Sequence, residues 1–377
     1  MNHTAYIEIM HCALSNTKPS SEICSRISLF ELYDFASLNK FLPMFAKLLQ
    51  YWPISSKEEQ NLVDWWKNET TRLVFLEYNK QTLTKQILAK ANSKELCMVF
   101  FKGYILADLY PEFAMRNSSD TDIYVSPSDK ASTFSLLKNM HYTHIEELEE
   151  DDVSTFLLIK DEIPLHKIEL HTSLYEDLTQ KQIDVLEDIP LLSKDNIISL
   201  NCCHLTLNTL NHENHFIYQL LHMAKHLCSH GLPARYLTDL SLFIQKYQND
   251  INWLNVQNIV NKLGYLTFYQ QLLSLLIHYF NAPDAIRLQL KLESKEDVSS
   301  LLADILSFGM RSQPQDISHY FYCFEKYLEQ NTERTNGSQE KITFDGTTVP
   351  YNIVPKKYQE NEVIQKRILF LLNIKLL

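Results

Sequence analysis

Glycine is scarce in this chain, with six in 377 residues. Tight β-turns draw on glycine wherever φ must be positive, so its scarcity favours helices over a sheet-rich, tightly turned fold. The seven cysteines (12, 24, 97, 202, 203, 228 and 323) are an odd set with no C-x-x-C spacing. That argues against a disulfide framework and a thiolate zinc site, and leaves reduced core thiols. Long apolar runs are missing too. The longest, such as Ile368-Leu-Phe-Leu-Leu372, fall far short of the roughly 20 residues a membrane-spanning helix needs. Basic clusters are also absent, and 35 Lys and Arg against 46 Asp and Glu give a net charge of −11. Because neutralising many phosphates takes clustered cations, long DNA or RNA is a poor expectation for a substrate. The opening residues, Met1-Asn-His-Thr-Ala-Tyr-Ile-Glu-Ile9, have neither the basic start nor the apolar core of a signal peptide. A soluble, cytoplasmic protein without a membrane partner is therefore expected.

What is present describes an ordinary globular protein, 45% hydrophobic and 21% charged. The length permits two or three domains, and the periodicity divides the chain into three. Residues 1–94 read as an N-terminal helical region, with an amphipathic stretch over Phe41 to Tyr51 and a long helix from Lys57 to Asn92 behind Ser55-Ser56. Trp52, Trp65 and Trp66 fall here and are read as packing residues. Residues 95–190 change period: a short apolar run over Leu96 to Phe101, a helix, a strand, a helix over Ser128 to Met140, and strands near 153–159 and 165–171. This predicts an α/β core with a mixed sheet. Ser126-Pro127-Ser128-Asp129 supplies the stop after the second strand and the cap of the next helix. The acidic run from Glu146 to Asp152 reads as a solvated loop. Residues 191–377 return to helices, at about 212–229, 235–247, 251–262, 265–281, 296–309 and 317–329, forming a C-terminal helical domain. Residues 330–358 read as an exposed loop with one strand, Lys341-Ile-Thr-Phe344. The fold class expected is α+β, a small mixed-sheet core between two helical regions.

The chemistry gathers in one stretch, Val99-Phe-Phe-Lys102-Gly103-Tyr-Ile-Leu-Ala-Asp-Leu-Tyr110-Pro111, which continues through Arg116-Asn-Ser-Ser-Asp120-Thr-Asp122-Ile-Tyr-Val125. Asp120 and Asp122 are two apart at the head of a strand, so both carboxylates can face one side and share a cation. Alone the pair is weak, since 46 acids in 377 residues give roughly six acid-x-acid triplets by chance. A second strand, Leu165-His-Lys-Ile-Glu169-Leu-His171, adds context: Lys167, Glu169 and His171 share a face, and Glu169 offers a third carboxylate. Three acids on neighbouring strands suit two Mg2+ ions, which take oxygen ligands and complete their shells with water and substrate phosphates.

Lys-Gly, Leu-Tyr-Pro, Arg, Asp-x-Asp and a later Glu-Leu-His together resemble the uncharacterised-type nucleotidyltransferases of the polymerase-β-like superfamily. The resemblance covers about residues 75–245 and is most specific from Lys102 to Val125. The superfamily's usual Gly-Ser phosphate turn is here Lys102-Gly103. The resemblance implies an enzyme that moves a nucleoside monophosphate from an NTP onto a hydroxyl or phosphate of a small molecule, peptide or protein, releasing pyrophosphate. It gives Asp120, Asp122 and Glu169 the role of metal ligands, with Glu169 also a base for the incoming hydroxyl. Lys102 and Gly103 are expected to bind phosphate, the glycine by close backbone approach and the lysine by charge. A surface lysine before a plain turn is the plainer reading. For Arg116, clamping phosphate and forming a structural salt bridge to one of these acids stand level. His222 and His226 share a helix face at a zinc-compatible spacing, but residue 223 is Met and no H-E-x-x-H glutamate accompanies them, so packing is preferred. The resemblance extends over this segment, with Arg235 and Asp239, and implies that the helical domain covers the cleft, with Lys225 or His226 near substrate. The rival reading is a non-catalytic nucleotide-binding or protein-interaction module on the same fold, against which the retention of all three acids speaks.

Overall fold

The computed structural model describes residues 3–146, 152–174, 180–189, 191–229, 231–290, 298–307, 341–344 and 347–350, with single positions at 178, 292, 370, 371, 374 and 376. Most of the acidic run, the helix expected at 317–329 and most of the loop over 330–358 lie outside the described residues.

Four helices open the chain: α1 (His3–Ser15), α2 (Ser21–Arg26), α3 (Leu29–Leu38) and α4 (Leu42–Phe45). The single helix expected over 41–51 is split. Pro43 sits in the first turn of α4, where its missing N–H costs nothing, and the chain then tightens into a 3-10 helix over Ala46–Tyr51. Helix α5 (Lys57–Asn92) runs 36 residues and starts on a capping box: the Ser56 hydroxyl accepts the Glu59 N–H, and the Glu59 carboxylate accepts the Ser56 N–H. Trp52 and Trp66 are buried and donate their indole N–H to the carbonyls of Ile27 and Leu42, while Trp65 is half exposed, edge-on to Tyr33.

Seven strands follow: β1 (Val99–Phe100), β2 (Thr121–Tyr124), β3 (Thr143–His144), β4 (Val153–Lys160), β5 (Ile163–His171), β6 (Ile197–Cys202) and β7 (Leu205–Leu210). They form one sheet in the order β3-β4-β5-β2-β1-β7-β6. The pairs β2–β5 and β1–β7 are parallel and the others antiparallel, so the sheet is mixed as expected. The β6–β7 hairpin was not expected, because the sequence reads as helical directly after Pro190. Its turn lacks the usual glycine or asparagine signal; Cys203 and His204 take φ of 47° and 57° instead. The Asp108 carboxylate stabilises that turn by accepting the Cys203 N–H at 2.8 Å.

Helices α6 (Gly103–Ala107) and α7 (Lys130–Asn139) connect the first strands. After β5 come α8 (Gln180–Glu187), α9 (His212–Ser229), α10 (Arg235–Tyr247), α11 (Trp253–Lys262), α12 (Leu266–Tyr279), α13 (Ala285–Leu290) and α14 (Ser299–Leu306). A separate hairpin, β8 (Lys341–Phe344) with β9 (Thr347–Pro350), contains the strand expected there.

Two large cores hold these elements, with a small third cluster of Phe101, Leu174, Leu210 and Tyr218 beside the Lys102 turn. In one, Ile87 and Ala91 of α5 and Leu136 and Leu137 of α7 pack on Phe100, Ile123, Phe156, Ile168 and Leu170 of the sheet. The other joins both helical flanks, with Ile9, Leu32, Phe45 and Trp66 in one cluster with Phe216, Phe243, Phe268, Leu272 and Ile305. Polar ties cross the same boundary: Asn39 accepts the Ala234 N–H at 2.6 Å, and His11 Nε2 meets the Tyr279 carbonyl at 2.7 Å. Among the described residues no helix is long and apolar enough to cross a membrane.

Candidate active site

Parallel pairing of β2 with β5 sets Thr121 opposite Ile168, Asp122 opposite Glu169, and Tyr124 opposite His171. Register partners on adjacent strands face the same side of a sheet, so the Asp122 and Glu169 carboxylates are neighbours. The same parity brings His171 to that face. Asp122, Glu169 and His171 each offer one ligand atom within 4.8 Å of the other two. Two carboxylates and an imidazole are a donor set that fits a divalent cation. Asp120 precedes the strand and lies outside this cluster; its carboxylate accepts the Ser119 hydroxyl at 2.9 Å.

Lys102 lies two residues past the end of β1, on the other side of β2, at φ 62°, ψ −126°, a conformation that favours glycine. His215 Nε2 accepts its backbone N–H at 3.3 Å, and its ammonium lies 3.2 Å from Asp122 Oδ1 and 3.5 Å from His222 Nε2. At Gly103 a side chain would meet no atom within 4 Å, so the outer side of the turn is open.

Charge organises the site. Burial alone would raise the pKa of Asp122, but Lys102 and His171 outweigh it and hold the carboxyl well below its usual range. Burial would likewise lower Lys102, yet Asp122 keeps it well above its ordinary value, as an ammonium. Glu169 moves the other way: burial first, then the charges of Asp120 and Asp122, push it up against the opposing Lys167, whose ammonium donates to it at 2.5 Å. Burial and the nearby Lys102 hold His222 well below its ordinary value, so it is neutral. Its Nε2 lies 3.0 Å from the Tyr236 hydroxyl and 2.9 Å from His226 Nε2. Among the described residues no further His, Cys, Asp or Glu joins these two histidines in a metal-ligating group. A pocket lined by Leu174, Tyr218, Leu221, His222 and Lys225 opens next to Lys102, which lies 5.5 Å from the Tyr218 ring. Helix α9 thus covers the cleft.

Arg116 goes to Asp239 rather than to the strand acids. Its Nε and Nη2 donate to the two Asp239 oxygens at 2.7 and 2.9 Å, and Nη1 donates to the Gly103 carbonyl at 3.3 Å. The salt bridge expected as one alternative, to a strand acid, is not the one formed: the guanidinium pairs with Asp239 of α10. Tyr110 donates to the same carboxylate at 2.8 Å, and Arg235 donates to the Asn117 carbonyl. The segment between Lys102 and β2 is therefore pinned to α10.

Two groups of supporting residues escaped the sequence reading. On α5, the buried pair Glu77 and Lys80 grips Ser118: Glu77 accepts its N–H at 2.9 Å, and Lys80 donates to its hydroxyl at 3.0 Å and to its carbonyl. The signal was available, since both continue the three- and four-residue spacing of Val63, Trp66, Thr84, Ile87 and Ala91 on the buried stripe of the helix. Buried His166 lies between the Tyr142 hydroxyl at 2.7 Å and the Thr121 hydroxyl at 2.9 Å and fixes the residue beside Asp122. Nothing in the spacing of the fourteen histidines singles it out.

No curated protein matches the chain. Among solved structures, a crystal structure of an antigenic nucleotidyltransferase-like protein from Paracoccidioides brasiliensis is similar, at 15% identity and a TM-score of 0.38 over 56% of this chain and 95% of that one. Residues 27–281, more than half the chain and spanning the sheet, the acids and the covering helices, match the family described as uncharacterised nucleotidyltransferase, and the chain belongs to it.

Proposed function

We propose that the chain transfers a nucleoside monophosphate from an NTP to a hydroxyl or phosphate oxygen of a small molecule, peptide or protein, in a Mg2+-dependent reaction. The pairing of Asp122 with Glu169 across parallel strands, with Lys102 3.2 Å from Asp122, carries this reading. The acceptor oxygen bonds to the α-phosphorus, the bond to the bridging oxygen breaks, and pyrophosphate leaves with that electron pair. Where the acceptor is a hydroxyl, Glu169 takes its proton, a role its raised pKa suits. Lys102 steadies the negative phosphates as a point charge. The open side of Gly103 leaves room for phosphate to approach the backbone. Arg116 positions that turn through the Gly103 carbonyl. The expected pair of Mg2+ ions would draw on Asp122 and Glu169, with Asp120 the remaining carboxylate, and would neutralise phosphate charge. A net charge of −11 favours a small or protein acceptor over long nucleic acid.

The test is a screen of NTPs with Mg2+ that follows pyrophosphate release, with candidate acceptors and with the protein itself as acceptor. Release that depends on NTP and metal is expected in the wild type and is expected to vanish in Glu169→Gln. Glu169→Gln releasing pyrophosphate at the wild-type rate would remove the base from this scheme.

A further inference from the structure

We propose that His171 is a direct ligand of the divalent ion, so that the site binds through two carboxylates and one imidazole nitrogen and holds Mn2+ more tightly than the Mg2+ that supports the reaction above. The ion's presence rests on the nucleotidyltransferase reading above; the nitrogen ligand and the preference rest on this chain's own geometry. His171 follows Glu169 by two residues on β5 and shares its face. Its imidazole is buried, and its ring lies edge-on to Phe101 with centroids 5.0 Å apart, which fixes its direction. Nε2 is 3.3 Å from Asp122 Oδ1. Adjacent ligands of an octahedral ion with bonds of about 2.1 Å lie about 3 Å apart, so the two atoms have nearly the spacing that a shared ion requires. The other role for this contact is a hydrogen bond that only orients Asp122. Lys102 lies 3.2 Å from that same oxygen, so Asp122 keeps a charged partner when His171 serves an ion. Mg2+ takes oxygen almost exclusively; Mn2+ shares its affinity for carboxylates and phosphates but, as a transition ion, admits one nitrogen ligand among them more readily.

The test uses the full chain with Mn2+, alone and with a non-hydrolysable NTP analogue. Pulsed electron paramagnetic resonance reads nitrogen coupling to the bound ion, and a titration of free Mn2+ reads affinity. We expect 14N coupling in the wild type, replaced by 15N coupling when histidine is 15N-labelled. In His171→Gln, checked for folding by circular dichroism, the coupling disappears. His171→Asp restores an all-oxygen set, and its preference for Mn2+ over Mg2+ is expected to fall about tenfold or more. Affinity loss alone does not decide, because removing a residue that merely orients a ligand costs about 10–100-fold as well. Mn2+ bound without histidine coupling, or with coupling that survives in His171→Gln and is lost in His222→Gln, overturns the assignment and leaves the nucleotidyltransferase reading standing. A wild type that binds no Mn2+ with or without nucleotide overturns the assignment, whereas the nucleotidyltransferase reading falls only if pyrophosphate release with NTP and Mg2+ is absent.

Discussion

Lys102 holds a backbone conformation that costs a non-glycine residue about 1–3 kcal/mol, which its surroundings must overcome. They do so at both ends: His215 accepts its N–H, and Asp122 faces its ammonium. Because both members of this ion pair are buried, the two residues depend on each other for stability as well as chemistry. Asp122→Ala leaves the ammonium without its carboxylate and is expected to cost about 3–5 kcal/mol, the range for breaking a buried pair from one side. Adding Lys102→Met removes the stranded charge and is expected to recover most of that loss. Neither variant should turn over. Urea denaturation of both single variants and the double variant gives the coupling energy, and additive losses would show that the pair contributes no mutual stabilisation. For substrate, Lys102→Ala is expected to weaken NTP binding more than nucleoside binding, since it removes a charge that only phosphates feel; equal losses in a titration of both ligands would make it a loop support.

Helix α5 shows how one element supports a site that it does not enter. Its buried stripe passes from Val63 and Trp66 through Glu77, Lys80 and Thr84 to Ile87 and Ala91, and the charged pair in the middle holds both backbone groups of Ser118, two residues before Asp120. Lys80→Met alone strands Glu77 and is expected to cost about 3–5 kcal/mol, whereas Glu77→Met with Lys80→Met replaces the pair by apolar volume and should come close to wild-type stability. The double variant should still lose kcat, because the segment leading to the acids has lost its anchor. A double variant with wild-type kcat would confine the pair to a packing role. The helix itself was legible: Ser55-Ser56 mark its start, and Lys57 to Asn92 match its bounds. Strand β2 and its neighbour β5 were legible too, from the apolar run after Asp122 and the alternation through His171. That these two strands pair in parallel, and so set Asp122 opposite Glu169 in register, is a long-range choice that local periodicity does not encode.

At the scale of the molecule, the helical flanks were legible as helices but not as one body, because contacts such as Asn39 with Ala234 span nearly two hundred positions. The shared core that results buries histidines that the composition alone presents as scattered. Burial drives both His166 and His215 from an ordinary value of 6.5 to about 3, aided by the charge of Lys80 on the first and of His212, Lys102 and Arg116 on the second. Between those two values the unfolded chain takes up a proton at each position that the folded chain refuses. Stability therefore falls as pH drops below about 6.5, by up to about 1.4 kcal/mol per pH unit for each histidine. Asp122, held low in the fold, adds stability above the ordinary carboxylate range that is lost below it, at more acid pH. Glu169, held high, works in the opposite sense: its folded form retains a proton that the unfolded chain gives up, which favours the fold towards acid. With His166, His215 and the likewise lowered His222 against one glutamate, the net expectation is a nearly flat unfolding free energy from pH 8 to 7 and a decline that begins near pH 6.5, before the exposed carboxylates titrate. Urea titrations at pH 8, 7, 6 and 5 measure it. His166→Gln and His215→Gln should each lower overall stability through lost packing and hydrogen bonding, yet flatten the decline between pH 6.5 and 5. A decline equally steep in both variants would assign the acid sensitivity to groups outside this core.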